Sequence, residues 1–155
     1  MQSHDLIKSA RDLLLASRSR PRQANLSRAT STAYYAAFHM LARHCADLVI
    51  GTSGSRRAWT QVYRALDHGA ARNVRTHPAF HSFPVPIRRF TETFINLQKK
   101  RELADYDPFH RSLKSDVLTD IQQAEQSMAA FEATPVKDRR AFAVLLLMPA
   151  RKPRT

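Results

Sequence analysis

A regular spacing of apolar residues late in the chain places the strongest constraint on the fold. Between residues 111 and 133 the apolar side chains recur at steps of 4, 4, 3, 4 and 3, and they are Leu113, Val117, Ile121, Ala124, Met128 and Phe131. These steps follow the 3.6-residue period of an α-helix and put the side chains on one face. The spacing predicts a helix over 111–133 whose apolar face packs against other helices in a bundle.

Four other segments show the same period. Helices are predicted over 3–18, 22–49 and 55–72, and another begins near Pro86. The second is apolar around much of its girth, which is typical of the central helix of a bundle, and Ser55 is expected to cap the third. The chain has only three glycines, which argues against a turn-rich β-sandwich. The predicted fold class is therefore all-α, a bundle of about five helices.

The composition changes at Pro135. Residues 1–134 are predicted to form the bundle, and residues 135–155 a basic tail that contains the apolar run 141–148. This run is far shorter than the roughly 20 residues that span a bilayer, so no membrane association is expected. We expect the run to dock on the bundle or on a second subunit. Its pattern does not distinguish helix from strand.

Charge and cysteine content restrict the setting and the partners. The net charge is +12, which indicates an anionic partner such as RNA or DNA, or else a solvated basic surface with a basic tail. The single cysteine, Cys45, excludes an internal disulfide and fits a reducing, cytoplasmic environment. Its simplest interpretation is a core residue. The Cys and His spacing lacks a zinc framework, and neither a metal nor a cofactor is expected.

Arg101 falls on an apolar stripe. Ile87, Phe90, Phe94 and Leu97 are spaced 3, 4 and 3 residues apart, and the next step of this rhythm reaches Arg101. Asp105 is placed to pair with Arg101 four residues later on the same helix. A guanidinium on a core-facing stripe needs a partner. The pair either locks the helix end to the bundle, or the arginine binds phosphate in a cleft between helices.

The second helix carries a polar stripe that includes Tyr35 and His39. This stripe is either an ordinary solvated face or the border of a polar cleft. If Tyr35 and His39 face Arg101, they complete a site for a phosphate or a base. Arg72 and His77 form a weaker candidate for metal-independent RNA cleavage, and chance spacing is the better explanation for that pair.

Two blocks of sequence together resemble HEPN domains (higher eukaryotes and prokaryotes nucleotide-binding). They are SRATSTAYYAAFHMLARHCADL at 27–48 and LQKKRELADYDP at 97–108, and the Ala-Glu pair of that family's last long helix corresponds to Ala124 and Glu125. The resemblance implies an up-and-down helical bundle that forms a homodimer. It also implies a nucleotide- or RNA-binding protein of a prokaryotic toxin–antitoxin or defence module.

The family's catalytic signature is an arginine followed, after four to six residues, by a histidine. Arg101 matches the arginine, but Tyr106 stands where the histidine is expected, and His110 comes later. We therefore expect Arg101 to bind phosphate, Asp105 to orient it and Tyr106 to stack or hydrogen-bond, with Tyr35 and His39 lining the site.

Two alternatives remain open. One is a metal-independent ribonuclease toxin that uses Arg101 with Tyr106 or with His110, although a tyrosine whose pKa is near 10 is a poor general base at pH 7. The other is a non-catalytic subunit that partners a minimal nucleotidyltransferase through the basic tail or the apolar run.

Overall fold

The computed structural model describes residues 2–16 and 20–149, and their regular structure is entirely helical. Seven α-helices occur, with a 3₁₀ turn at Pro78–Ser82 between the fourth and the fifth. They are α1 Ser3–Leu15, α2 Gln23–Val49, α3 Arg56–Ala65, α4 Ala70–Arg75, α5 Val85–Tyr106, α6 Lys114–Glu132 and α7 Val136–Leu147. The all-α prediction and the helical bundle are confirmed, but the described residues form seven α-helices where about five were predicted.

Helix α2 is the centre of the bundle and packs against α1, α3, α5, α6 and α7. Its buried positions are rich in alanine, including Ala29, Ala33 and Ala37, so the neighbouring helices approach closely. Cys45 is fully buried on this helix, as predicted, and burial raises the pKa of its thiol to about 12. The central position of α2 follows from its apolar girth, because such a helix needs neighbours on most sides.

The apolar face of α6 is confirmed from Val117 to Phe131, since each of its predicted members in that range is buried. The prediction was wrong for Leu113, which is 59% exposed and precedes the first helical residue in an extended conformation. The reason is tertiary. The side-chain amide of Gln23 on α2 donates a 3.1 Å hydrogen bond to the backbone carbonyl of Ser112 and accepts a 3.0 Å hydrogen bond from the backbone N–H of Ser112. The backbone of Ser112 is therefore bonded to α2 and does not form part of α6.

The helix predicted over 55–72 is interrupted. Ser55 caps α3 as predicted, by accepting a 3.2 Å hydrogen bond from the N–H of Ala58. However, α3 ends at Ala65, because Leu66 is extended and only 6% exposed. The carboxylate of Asp67 then accepts from the N–H of Gly69 at 2.7 Å, a local bond that competes with helix continuation.

The apolar run at 141–148 is helical through Leu147, as part of α7. Its Phe142 is 1% exposed and packs edge-on against Phe83 and Phe131, with ring centroids 5.6 and 5.9 Å apart. The run therefore docks on the bundle of its own chain. The tail's final basic residues, Arg151, Lys152 and Arg154, lie outside the described residues. Within the described ranges, no helix is both long and apolar enough to cross a membrane.

Candidate functional site

Arg101 lies near the C-terminal end of α5 with its guanidinium against two tyrosines of α2. Its side chain is 11% exposed. The guanidinium carbon is 4.9 Å from the ring centroid of Tyr34 and 5.8 Å from that of Tyr35. Both distances are in the range of cation–π attraction, which strengthens when the cation is desolvated. The guanidinium that was predicted to face the core therefore lies against the rings of Tyr34 and Tyr35.

The carboxylate of Asp105 is fixed more firmly by a serine than by the arginine. The Oγ of Ser31 donates a 2.6 Å hydrogen bond to Asp105, whereas the nearest guanidinium nitrogen of Arg101 is 3.7 Å from the other carboxylate oxygen. Charge-assisted N–H···O bonds are typically about 2.7–2.9 Å long. In addition, the Nε of Arg101 is buried without a hydrogen-bond partner among the described residues. The guanidinium thus retains unused donors.

A histidine from the loop before α4 completes the cluster. The Nδ1 of His68 is 2.5 Å from the hydroxyl oxygen of Tyr34, and its ring stacks on Phe38 with centroids 4.3 Å apart. The side-chain amide of Gln98, one turn before Arg101, donates to the carbonyl of His68 at 2.8 Å. His68 is nevertheless exposed to solvent. Tyr34 and Phe38 thus position its ring and Gln98 its backbone, while the residue as a whole remains accessible to solvent.

Tyr34 connects these groups, and its hydroxyl stays protonated at neutral pH. Burial raises the pKa of Tyr34 well above its usual value, and the positive charge of Arg101 offsets only part of this effect. We use the name Arg101 cluster for Ser31, Tyr34, Tyr35, His68, Arg101 and Asp105. In this cluster the phenol of Tyr34 lies between the mostly buried guanidinium of Arg101 and the imidazole of His68. The guanidinium can bind an anion, and the imidazole can exchange a proton with it.

Tyr35 and His39 share the polar stripe of α2 but have different neighbours. Tyr35 is 36% exposed and lies beside the guanidinium of Arg101. His39 lies one turn further, with its ring centroid 6.2 Å from that of Tyr35, and its Nδ1 is 2.5 Å from the hydroxyl oxygen of Tyr63 on α3. Burial lowers the pKa of His39, which favours a neutral ring. The structure therefore places Tyr35 in the Arg101 cluster and His39 at its border.

Tyr106 and His110 lie apart from these groups. Tyr106 is 75% exposed and lines a surface groove together with Leu103 and Lys99. The Nε2 of His110 is 3.1 Å from the Oγ of Ser112, in the loop between α5 and α6. Among the described contacts, none joins Tyr106 or His110 to Arg101. Tyr106 and His110 are near Arg101 in the sequence, but the described contacts do not bring them together in the fold.

The weaker candidates also have structural contacts. Arg72 is 3.4 Å from the carboxylate of Glu102, and the Nδ1 of His77 accepts from the N–H of Ala79 at the start of the 3₁₀ turn. The described parts of the chain contain no group of three His, Cys, Asp or Glu side chains suited to hold a metal ion.

Sequence reasoning missed four of the residues that form or support the site. Ser31 could have been found, because it precedes Tyr35 by one helical turn on the same face. Tyr34 belongs to the apolar girth of α2, where the pattern indicates an interior residue and not a site residue. Nothing in the local pattern indicates His68, which reaches the site from a loop. Gln98 is one turn before Arg101 and only 3% exposed.

Comparisons of the chain with protein-family models, with curated proteins and with solved structures found no match in any of the three. A function for the Arg101 cluster is therefore inferred from its geometry and charge, together with the sequence blocks that carry it.

Proposed function

We propose that this chain is a nucleotide- or RNA-binding protein of the HEPN type, and that Arg101 is its phosphate-binding residue. The proposal depends on one observation, namely that the guanidinium of Arg101 is mostly buried without a short ion pair in the part of the chain that the structure describes. The side chain is 11% exposed, yet its one carboxylate contact among the described residues, to Asp105, is 3.7 Å long. An arginine kept at such a position solely for structure is expected to have short, saturated hydrogen bonds. A planar donor with unused N–H groups suits a phosphate.

The surroundings of Arg101 support the same proposal. Tyr35 offers a partly exposed ring beside the guanidinium, on which a base can stack. Asp105 is anchored by Ser31 and lies 3.7 Å from the guanidinium, so it does not saturate the N–H groups of Arg101. The net charge of +12 favours association with a polyanion before the specific contact forms.

The positions of the two resembling blocks agree with the proposal. Residues 27–48 lie within α2, and residues 97–106 form the end of α5, so both blocks lie on the helices that carry the Arg101 cluster. The resemblance extends the proposal to a homodimer and to a nucleotidyltransferase partner in a toxin–antitoxin or defence module. Light scattering of the purified chain and co-purification with a neighbouring gene product test these two extensions.

The direct test is binding of AMP and of a short single-stranded RNA, in EDTA and at low salt. The variant is Arg101→Met, and the matched control is Arg89→Met, which removes the same charge from an exposed position of the same helix. We expect Arg101→Met to weaken binding by about tenfold or more, because a charge-assisted hydrogen bond contributes about 1.5–3 kcal/mol. Equal losses of binding affinity in both variants would show that only the overall charge matters, and this result would refute the proposed site.

A second candidate function, metal-independent ribonuclease, is favoured by the position of His68. The family's signature histidine is replaced by Tyr106, but His68 brings an exposed imidazole to the hydroxyl of Tyr34, beneath Arg101. In this reaction the ribose 2′-hydroxyl attacks the adjacent phosphorus and gives its proton to the Nε2 of His68. The bond from phosphorus to the 5′-oxygen breaks, and that oxygen takes a proton from water. Arg101 stabilises the charge on the phosphorane.

RNA cleavage in EDTA tests this candidate, with folding of each variant matched by circular dichroism. His68→Gln and Arg101→Met are expected to abolish cleavage, while His110→Gln, in the loop between α5 and α6, leaves it unchanged. Products with a 2′,3′-cyclic phosphate and a 5′-hydroxyl are expected. Absence of cleavage by the wild type, combined with Arg101-dependent binding, would leave the binding function as the conclusion.

A further inference from the structure

A second arginine lies beside the Arg101 cluster on a different helix. Arg72 of α4 pairs with Glu102 of α5, with 3.4 Å between a guanidinium nitrogen and a carboxylate oxygen. Glu102 lies one turn after Gln98 on the same face of α5. Because the side-chain amide of Gln98 donates to the carbonyl of His68, the ion pair lies beside the His68 side of the Arg101 cluster. Both side chains are 41% exposed, and the guanidinium of Arg72 is therefore reachable from solvent.

The hydroxyl of Tyr34 indicates that the two arginines share one electrostatic environment. Burial is the main influence on the pKa of Tyr34 and raises it; the charge of Arg101 lowers it, Tyr35 and Glu102 raise it, and the charge of Arg72 has the smallest effect and lowers it. The same hydroxyl also contacts the Nδ1 of His68 at 2.5 Å. The guanidinium of Arg101 and the imidazole of His68 thus contact a single buried phenol, and Arg72 acts on it through its charge.

The two arginines are held loosely by their own carboxylates. The separations of 3.4 Å for Arg72 and Glu102, and of 3.7 Å for Arg101 and Asp105, exceed those of strong charge-assisted bonds. A half-exposed ion pair such as Arg72–Glu102 contributes little to stability, so a ligand oxygen can replace its carboxylate with little loss.

We propose that Arg72 is a second phosphate-binding residue, and that the site takes ligands with two linked phosphate groups in preference to one. This inference rests on the proposed function, in which Arg101 binds the first phosphate. The two phosphates belong to the pyrophosphate of a nucleoside diphosphate or to successive nucleotides of an RNA strand. Both sources share the chemistry of two linked phosphates, and the probes below distinguish them.

Three probes are compared by calorimetry in EDTA at low salt: AMP, ADP and the 5′-phosphorylated dinucleotide pApA. The variant is Arg72→Met. Its matched control is Arg75→Met, because Arg75 lies one turn further on α4 and pairs with Glu92 of α5 at 3.2 Å with similar exposure. Each change removes one charge and one α4–α5 ion pair, so their effects on stability are comparable.

We expect Arg72→Met to weaken binding of at least one two-phosphate probe by about tenfold, while AMP binding changes by less than about twofold. A loss with ADP identifies pyrophosphate as the source, and a loss with pApA alone identifies an RNA strand. Arg75→Met should leave all three affinities unchanged.

Several results overturn the inference. If Arg72→Met weakens AMP and the two-phosphate probes equally, or weakens none of them, while Arg101→Met weakens all three, the second phosphate site falls and the proposed function stands. An effect of Arg75→Met equal to that of Arg72→Met also overturns it. If Arg101→Met changes no affinity, or if the wild type binds no probe, the proposed function fails and the inference fails with it.

Discussion

Replacing Arg101 by methionine separates a ligand-binding role of the guanidinium from a structural one. Methionine fills much of the space of the arginine stem with a flexible apolar chain, and it removes the charge. We expect the free energy of unfolding to change by no more than about 1 kcal/mol, because the favourable and unfavourable contributions nearly cancel. Anion binding, in contrast, should be lost.

The expected magnitude follows from the surroundings of the guanidinium. Loss of the contact with Tyr34, where the guanidinium carbon is 4.9 Å from the ring centroid, destabilises the fold by about 1 kcal/mol. Loss of the 3.7 Å pair with Asp105, whose side chain is 31% exposed, costs at most about 1 kcal/mol. In the opposite direction, removing a mostly buried cation whose Nε has no partner among the described residues stabilises by about 1–3 kcal/mol.

Urea denaturation followed by far-ultraviolet circular dichroism measures this balance. The set comprises the wild type, Arg101→Met, Asp105→Asn, the double variant, and Arg89→Met as the charge control. The coupling energy between Arg101 and Asp105 should stay below about 1 kcal/mol. A loss above about 3 kcal/mol in Arg101→Met, or a coupling energy of that size, would show that the pair is a structural lock and would refute the reasoning.

Three further predictions concern the bundle. Lys100→Ala should destabilise by about 3 kcal/mol, because the carboxylate of Asp120, only 6% exposed, loses its 2.6 Å partner. The same change in an Asp120→Asn background should cost much less, and equal losses in the two backgrounds would contradict the explanation. Phe142→Ala should cost about 4 kcal/mol in urea denaturation, because it removes a ring that is 1% exposed between α7 and the bundle. A loss below about 1 kcal/mol would show that α7 contributes little to the fold. Burial lowers the pKa of His44 below its ordinary 6.5, so the unfolded chain binds the proton more tightly than the folded one. His44 should therefore not lower the free energy of unfolding above pH 6.5. As the pH drops from 6.5 through the folded pKa of His44, this free energy should fall. His44→Gln should reduce that slope in a pH series of denaturation curves, and an unchanged slope would assign the pH dependence to other groups.

The parts of the fold that sequence reasoning predicted are those determined by local periodicity. The apolar faces of α2, α5 and α6 are visible in the spacing of their residues, because the helix period fixes which side chains share a face. The same rule placed Arg101 toward the interior and Asp105 one turn away, and the structure has the two side chains 3.7 Å apart.

The parts that were not predicted depend on contacts between distant segments. The break after Ala65 and the late start of α6 are set by a buried Leu66 and by the bonds of Gln23, and neither has a local signature. The separation of Tyr106 from Arg101 has a simple cause. Both belong to α5, and a residue five positions further lies about 140° around the helix axis. His68 reaches the site through tertiary packing alone.

The buried thiol of Cys45 gives experiments on this chain a built-in indicator. With no solvent exposure and a pKa of about 12, it is expected to resist alkylating reagents while the bundle is intact. The rate at which Cys45 reacts then reports how often the structure around α2 opens, and α2 is the central helix of the bundle. A cysteine introduced at an exposed position near Tyr35 can carry a fluorophore for ligand titrations, since under native conditions the label attaches there and not at Cys45.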